Sequence, residues 1–378
     1  MRLSLYIHVP FCIRKCRYCD FTSYPYTADA AQKYLTGLKQ EIQLYGSLLH
    51  QEDVEISTLF FGGGTPTCLS AAEINEVINW VKAHFSLTEA CEITVEANPG
   101  TISTAGLASL RRAGVNRLSL GVQSFEDGLL KTLGRIHDAA QAVEAVLMAR
   151  RAGFHNINID LIYGIPGQSL AAWQNTLQRV LELAPEHISA YGLQLEEGTP
   201  LEQAIKQGAI KACPEDVDLA MYREIIDTLT RSGYSHYEIS NFAKPGYECV
   251  HNLVYWLNGP YLGLGPAAHS YICGERYANE NSLADYCQRI GQAKALPAQR
   301  EALTIEEQMS ETVFLGLRLT KGVNLAGFRE RFHISLEEAY HSQIKKLTSQ
   351  GLVMLDGGYL RLTKQGLPVA NRVFMEFI

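Results

Sequence analysis

Between residues 3 and about 196 the chain repeats one unit, a short β-rich run followed by a stretch of helical periodicity. The strand runs fall at 3–9, 57–61, 92–97, 117–122, 156–162 and 187–195, and amphipathic segments lie among them at 30–49, 71–85, 139–151 and 170–183. This alternation predicts parallel strands, because only a crossover long enough to hold a helix can return the chain to lay down a parallel neighbour. Six units predict an α/β fold, either part of a (β/α) barrel or a doubly wound sheet. An internal echo fits the repeat: LRRAGVNRLSLG at 110–121 resembles ARRAGFHNINID at 149–160. Each reads as a helix end, a glycine cap and a strand, with Gly114 and Gly153 expected in the left-handed region.

The pattern changes after residue 200. Residues 214–232 read as a helix opened by Pro214, and an aromatic, Gly- and Pro-rich stretch follows. From about 300 a separate unit is expected, with helices near 304–318, 325–331 and 335–350. It ends in a hairpin, GLVMLDGGYLRLT, whose D-G-G turn separates two apolar runs. The expected organisation is a barrel domain over 1–235, a connecting segment over 236–300, and a smaller, mostly helical, winged-helix-like domain over 301–378. Winged helices often bind DNA, but the net charge of −7 argues against a nucleic-acid partner, which needs a basic surface. No apolar run approaches the roughly 18 residues of a membrane span. The N-terminus MRLSLYIHVPFC lacks the long apolar core and cleavage site of a signal peptide, so a cytoplasmic location is expected.

Nine cysteines are an odd number and most are scattered, which argues against a disulfide framework. Cys12, Cys16 and Cys19 are clustered, as C-x3-C-x2-C in the loop after the first strand run. Three thiolates without a nearby fourth cysteine leave a structural zinc site incomplete, although His8 or Asp20 could close one. An iron–sulfur cluster held by three cysteines instead keeps one iron without a protein ligand, open to an amine and a carboxylate. Glu96, Gln123, Asp160 and Gln194 fall near the C-terminal ends of predicted strands, the rim that carries the active site in barrels.

With FFGGGTPT at 60–67, EANPG at 96–100, GVQSF at 121–125 and DLIYGIPGQ at 160–168 following in order, the chain resembles the radical S-adenosylmethionine (SAM) superfamily over roughly residues 1–200. The resemblance implies a partial (β/α)6 barrel, a 4Fe-4S cluster on the three cysteines and SAM on the open iron. It also implies the superfamily's chemistry, reductive cleavage of a SAM C–S bond. The glycines of FFGGGTPT suggest free backbone N–H groups and close approach for the methionine end of SAM. LYIHVPFCIRKCRYCDF, FFGGGTP and EANP look most like the oxygen-independent coproporphyrinogen III dehydrogenase group. Carried over by position, this likeness puts Tyr6, Gly63 and Glu96 around the cluster-bound SAM. It puts Tyr18, Gly64, Thr65, Gln123, Arg135, Asp160 and Gln194 around a second SAM.

Two departures point away from that dehydrogenase. Phe21 stands where the dehydrogenases carry a further cysteine, and eleven residues precede Cys12 where they have an extension. C-x3-C-x2-C-x-F together with HNLVYW at 251–256 resembles the sister group, the HemW-type haem chaperones. That resemblance implies haem as a ligand, an acceptor haem protein such as a respiratory one, a possible homodimer, and no coproporphyrinogen dehydrogenase activity. Histidine and tyrosine are haem ligands and tryptophan offers a flat apolar face. His251 is therefore the candidate haem contact, with Cys249 as an alternative. The competing reading of HNLVYW is a turn that packs its aromatics inward. Cys213-Pro214 resembles a short haem-regulatory dipeptide, and His137 and His269 receive no role.

Overall fold

The computed structural model describes residues 1–49, 54–292 and 299–378. Its strands, in chain order, are β1 (Arg2–Val9), β2 (Phe11–Cys12), β3 (Tyr24–Pro25), β4 (Glu55–Gly63), β5 (Ser86–Ala97), β6 (Arg117–Gln123), β7 (Ile157–Tyr163) and β8 (His187–Gly192). There follow β9 (Ser235–Glu238), β10 (Asn241–Ala243), β11 (Tyr261–Leu264), β12 (His269–Ile272), β13 (Glu275–Ala278) and β14 (Gln299–Ala302). The C-terminal unit holds β15 (Val323–Asn324), β16 (Val353–Asp356) and β17 (Tyr359–Leu362).

β1, β4, β5, β6, β7 and β8 lie side by side in that order, all parallel, as the heart of a twelve-stranded sheet. This is the partial (β/α)6 barrel that the resemblance implies, and not the doubly wound sheet that the repeat alone left open. Leu3, Leu5, Ile7 and Val9 of β1 share one face of the strand and are all fully buried, while Ser4, Tyr6 and His8 alternate on the other. The crossover helices begin where the sequence supplies caps. Ser70 with Glu73 and Asp138 with Gln141 form capping boxes that satisfy two otherwise unpaired N–H groups apiece. Gly114 and Gly153 take φ of 111° and 86°, the left-handed caps the echo predicts.

Boundaries differ in places. The sixth run ends at Gly192 and not at 195, so Leu193 and Gln194 belong to the loop beyond the strand. The helix expected over 335–350 is two, Leu336–Ala339 and His341–Ser349. Residues 236–300, read from sequence as a connecting segment, supply strands to both ends of the main sheet. β10 and β9 extend it antiparallel beyond β8. β11 pairs parallel to β1, with Ser4 opposite Tyr261 and Ile7 opposite Leu264, and β12 to β14 continue outward.

The C-terminal unit has its own core, around Val313, Phe328, Leu347, Leu360 and Phe374. Gly357 and Gly358 form the two-residue turn between β16 and β17, both at positive φ, as a type I′ hairpin turn requires. Backbone bonds from Ile239 N to Arg318 O (3.1 Å) and from Thr320 N to Tyr237 O (3.1 Å) stitch this unit to β9 and the residue after it. Among the described residues no helix is long and apolar enough to cross a membrane.

Candidate functional site

The cysteine loop leaves β1 and is gathered at its base by the short β2–β3 pairing of Phe11 with Tyr24 and Cys12 with Pro25. Between these anchors it is pinned to the barrel rim. Arg17 N donates to Leu133 O at 3.0 Å, Leu201 N donates to Arg17 O at 2.9 Å, and Arg14 Nη2 donates to the carbonyls of Gly134 and Arg135. His8 Nε2 reaches Thr22 O at 3.0 Å from the strand below. The loop is thus held mainly by hydrogen bonds to backbone carbonyls. All three cysteines are free and partly exposed.

They open onto a cavity of about 470 Å³ at the C-terminal ends of the parallel strands. The same cavity is lined by Tyr18, Gly63, Gly64, Thr65, Glu96, Gln123, Arg135, Asp160 and Gln194. Arg135 is its organising charge. Its Nη1 donates to Cys16 Sγ at 3.3 Å, and its Nη2 donates to Gly121 O at 2.6 Å and to Asn98 Oδ1. Asn98 Nδ2 in turn donates to Thr65 Oγ1 at 2.8 Å, and Thr65 Oγ1 lies 3.6 Å from Cys12 Sγ. Tyr18 packs against Leu129, Leu133 and Ile162, and burial pushes its hydroxyl pKa up against the opposing pull of Arg135. Phe21 stands 61% exposed on the same cavity.

Glu96 is pushed up to about 8 by burial and by nearby Asp160. Asp160 is itself raised by burial, against hydrogen bonds from Asn158 Nδ2 (2.7 Å) and Ser119 Oγ (3.1 Å). Two carboxyls near one another in a low-dielectric site do not both ionise freely, so one proton is held between strands β5 and β7 near neutral pH. Gln123 ends β6 in the left-handed region at φ 67°, a strained backbone for a residue with a side chain and one that clusters at functional sites.

The glycine run does something other than the sequence suggested. Gly64 N donates to Val9 O at 2.9 Å and Thr65 N to Phe11 O at 2.7 Å, while Gly63 N–H is accepted by the Glu96 carboxylate. Those three N–H groups are spent on the protein. The close approach is to the cysteine loop: a Cβ on Gly64 would sit 2.6 Å from Phe11 O.

Tyr6 and His251 do not line the cysteine cavity. They face an inner chamber of about 160 Å³ deeper in the barrel, which shares Glu96, Ser119, Asp160 and Tyr191 with it. His251 is 1% exposed. Its Nδ1 is 2.7 Å from Thr58 Oγ1, its Nε2 is 2.9 Å from Tyr255 OH, and its ring stacks on Phe60 at 4.8 Å. Burial and the charge of Arg117 lower its pKa to about 3, so it is neutral. The expectation of His251 as a haem contact meets an imidazole with both nitrogens hydrogen-bonded within the protein. Cys249 is no better placed. It is fully buried, its thiol lies 3.6 Å from Glu92 Oε1, and burial pushes it up to about 12. Glu92 also accepts from Val250 N and His251 N, so HNLVYW opens a short helix fixed on β5.

Comparison with known proteins agrees with this geometry. Residues 6–180 match the radical SAM superfamily and residues 303–369 the HemN C-terminal domain. The haem chaperone HemW of Escherichia coli is 39% identical over 379 residues, covering 100% of this chain and 98% of that protein. The haem chaperone HemW of Lactococcus lactis is 37% identical, covering 99% and 97%. The chain belongs to the HemW family of radical SAM proteins. Among solved structures, coproporphyrinogen III oxidase (HemN) of Escherichia coli superposes with a TM-score of 0.87 at 28% identity, covering 99% of this chain and 89% of that one.

Three residues of this HemW-family site escaped the sequence reading. Asn98 lies within EANPG without a role of its own in the sequence, because its link between Arg135 and Thr65 joins segments far apart in the chain. Arg117 is named in the sequence only as the start of a strand run, yet it is 2% exposed with its Nε unpartnered beside the inner chamber. Tyr191 lines both chambers, and no local pattern marks it.

Proposed function

We propose that this protein is a haem chaperone that carries a 4Fe-4S cluster on Cys12, Cys16 and Cys19, holds SAM beside it, and passes haem to an acceptor haem protein. The observation that carries the reading is the convergence, in one cavity, of three free thiols with polar groups from the ends of several parallel strands. The chemistry of the walls fits SAM. Arg135, whose Nε is buried without a partner, meets a carboxylate, and Glu96 and Asp160 accept from an amine or from hydroxyls. A bound cluster supplies one electron and SAM supplies a cleavable C–S bond. The chain's own part is to orient the methionine end through Arg135, to keep a proton at Glu96 and to hold the loop by Arg14 and Arg17.

The reading of haem as cargo draws on the HemW relatives, matched over nearly their whole length. The likeness to HemN favours a second reading, turnover of a porphyrinogen with SAM cleavage. One experiment separates them. Anaerobically reconstituted protein is titrated with haem at the Soret band, and with coproporphyrinogen III while 5′-deoxyadenosine is followed. Saturable haem binding without product supports the chaperone; decarboxylated product supports the enzyme. Cys16→Ser is expected to lose the cluster absorbance and keep the fold. A full iron and sulfide complement in that variant would refute the ligand assignment.

A further inference from the structure

The haem reading needs a seat for a broad planar ring, and neither His251 nor Cys249 offers one. A cavity of about 810 Å³ does. It lies between the loops that follow β7 and β8 and the C-terminal unit, and it meets the cysteine cavity along the segment from Tyr191 to Gln194. That volume falls within the about 300–1,000 Å³ usual for cofactor sites, whereas the inner chamber, at about 160 Å³, does not reach it.

We propose that this cavity seats a carboxylated tetrapyrrole, its ring against Tyr191, Leu195 and Val369 and its carboxylates towards Arg318 and Arg372. This inference rests on the haem reading above. Tyr191, Leu195 and Val369 are 42%, 41% and 39% exposed, and all three line this one cavity. Single exposed apolar residues are ordinary, but three that line one cavity from both of its sides mark a space that something fills.

The charges are sorted by element. The acidic lining residues Glu215 and Asp218 come from the helix Glu215–Arg231, while Arg318 and Arg372 come from the C-terminal unit. An anionic group is therefore drawn to the C-terminal side. Arg318 lines the cavity and also faces the buried Glu238 carboxyl, whose pKa it pulls down against the effect of burial. Its guanidinium lies 4.3 Å over the ring of Trp256, which fixes its plane, and its Nε is buried without a partner. A planar guanidinium held in this way is ready for paired hydrogen bonds to a carboxylate. Trp256 of HNLVYW then acts as a positioning residue, supporting the arginine from behind. Cys213, of the Cys213-Pro214 pair, brings a thiol to the same cavity.

The test is an anaerobic haem titration of the reconstituted full chain, with Val369→Trp and Arg318→Gln beside the wild type. Val369 is exposed, so tryptophan there fills the cavity without entering the core; iron, sulfide and SAM binding serve as controls for folding. The wild type is expected to saturate, Val369→Trp to bind at least about tenfold more weakly, and Arg318→Gln severalfold more weakly, with the controls unchanged. Should Val369→Trp lose its cluster, Arg318→Gln decides. If both variants bind haem as tightly as the wild type, the seat is wrong and the chaperone reading stands. If the wild type shows no saturable haem binding, that reading falls and the seat with it.

Discussion

Arg135 donates to the sulfur of Cys16 across 3.3 Å, although 119 residues separate them in the chain. The same guanidinium holds Gly121 O and Asn98 Oδ1, so one side chain ties the cysteine loop to the ends of two strands. Its buried Nε has no partner in the protein. A ligand carboxylate placed there gains a charge-assisted hydrogen bond of about 1.5–3 kcal/mol. Arg135→Gln is accordingly expected to weaken SAM binding by roughly tenfold or more while iron and sulfide stay bound. Anaerobic equilibrium dialysis checks it, and an unchanged affinity would remove Arg135 from the SAM site.

Gly64 makes a second, more local prediction. A methyl group there meets Phe11 O at 2.6 Å and Phe11 C and N at 3.0 Å, backbone that is fixed by its ladder to Tyr24. Gly64→Ala is expected to cost about 1–3 kcal/mol of overpacking and to shift the loop that begins at Cys12. The readouts are thermal midpoint and iron content after reconstitution. A variant with both values at wild-type level would show that the contact relaxes freely.

Glu41 is 1% exposed and pushed up to about 7 by burial, against donors from Tyr286 OH (2.7 Å), Gly265 N (2.8 Å) and Asn279 Nδ2 (2.7 Å). Its folded pKa lies above the unfolded value near 4.3, so the native state binds the extra proton. Stability tied to this group is present at low pH and is lost as pH rises from about 4.3 to about 7, by at most ~1.4 kcal/mol per unit. Urea denaturation of wild type and Glu41→Gln from pH 5 to 8 is expected to show the wild type losing ground to the variant as pH rises. Parallel profiles would place the proton elsewhere.

His251 carries the opposite sign. Its pKa is lowered to about 3, first by burial and then by Arg117, so the neutral ring is the native form. The stability it contributes is complete above the unfolded value of about 6.5 and is lost as pH falls towards 3. His251→Asn is expected to flatten the acid side of the stability profile, again by at most about 1.4 kcal/mol per unit. An unaltered acid limb would mean that the imidazole is charged when buried.

The strands and caps were legible because their signals are local. Gly114 and Gly153 follow helices and take the left-handed φ that lets the chain turn back into a strand. The rim residues were legible for the same reason, since strand ends can be counted along the sequence. What stayed hidden depends on pairings far apart in the chain. HNLVYW shows neither that His251 will meet Thr58, 193 residues away, nor that Glu92 will cap its helix. The glycine run was misread because its N–H groups are consumed by Val9, Phe11 and Glu96, partners fixed by the strand register.

β1 has β4 on one side and β11 on the other, and β11 is formed by residues 261–264. The strand that carries the cysteine loop therefore keeps an open hydrogen-bonding edge until about two-thirds of the chain has left the ribosome. A fragment cut at the end of the superfamily match, near residue 180, would expose that edge as a template for pairing with other chains. The first strand made is among the last to be enclosed, and the barrel cannot be separated from the segment that follows it.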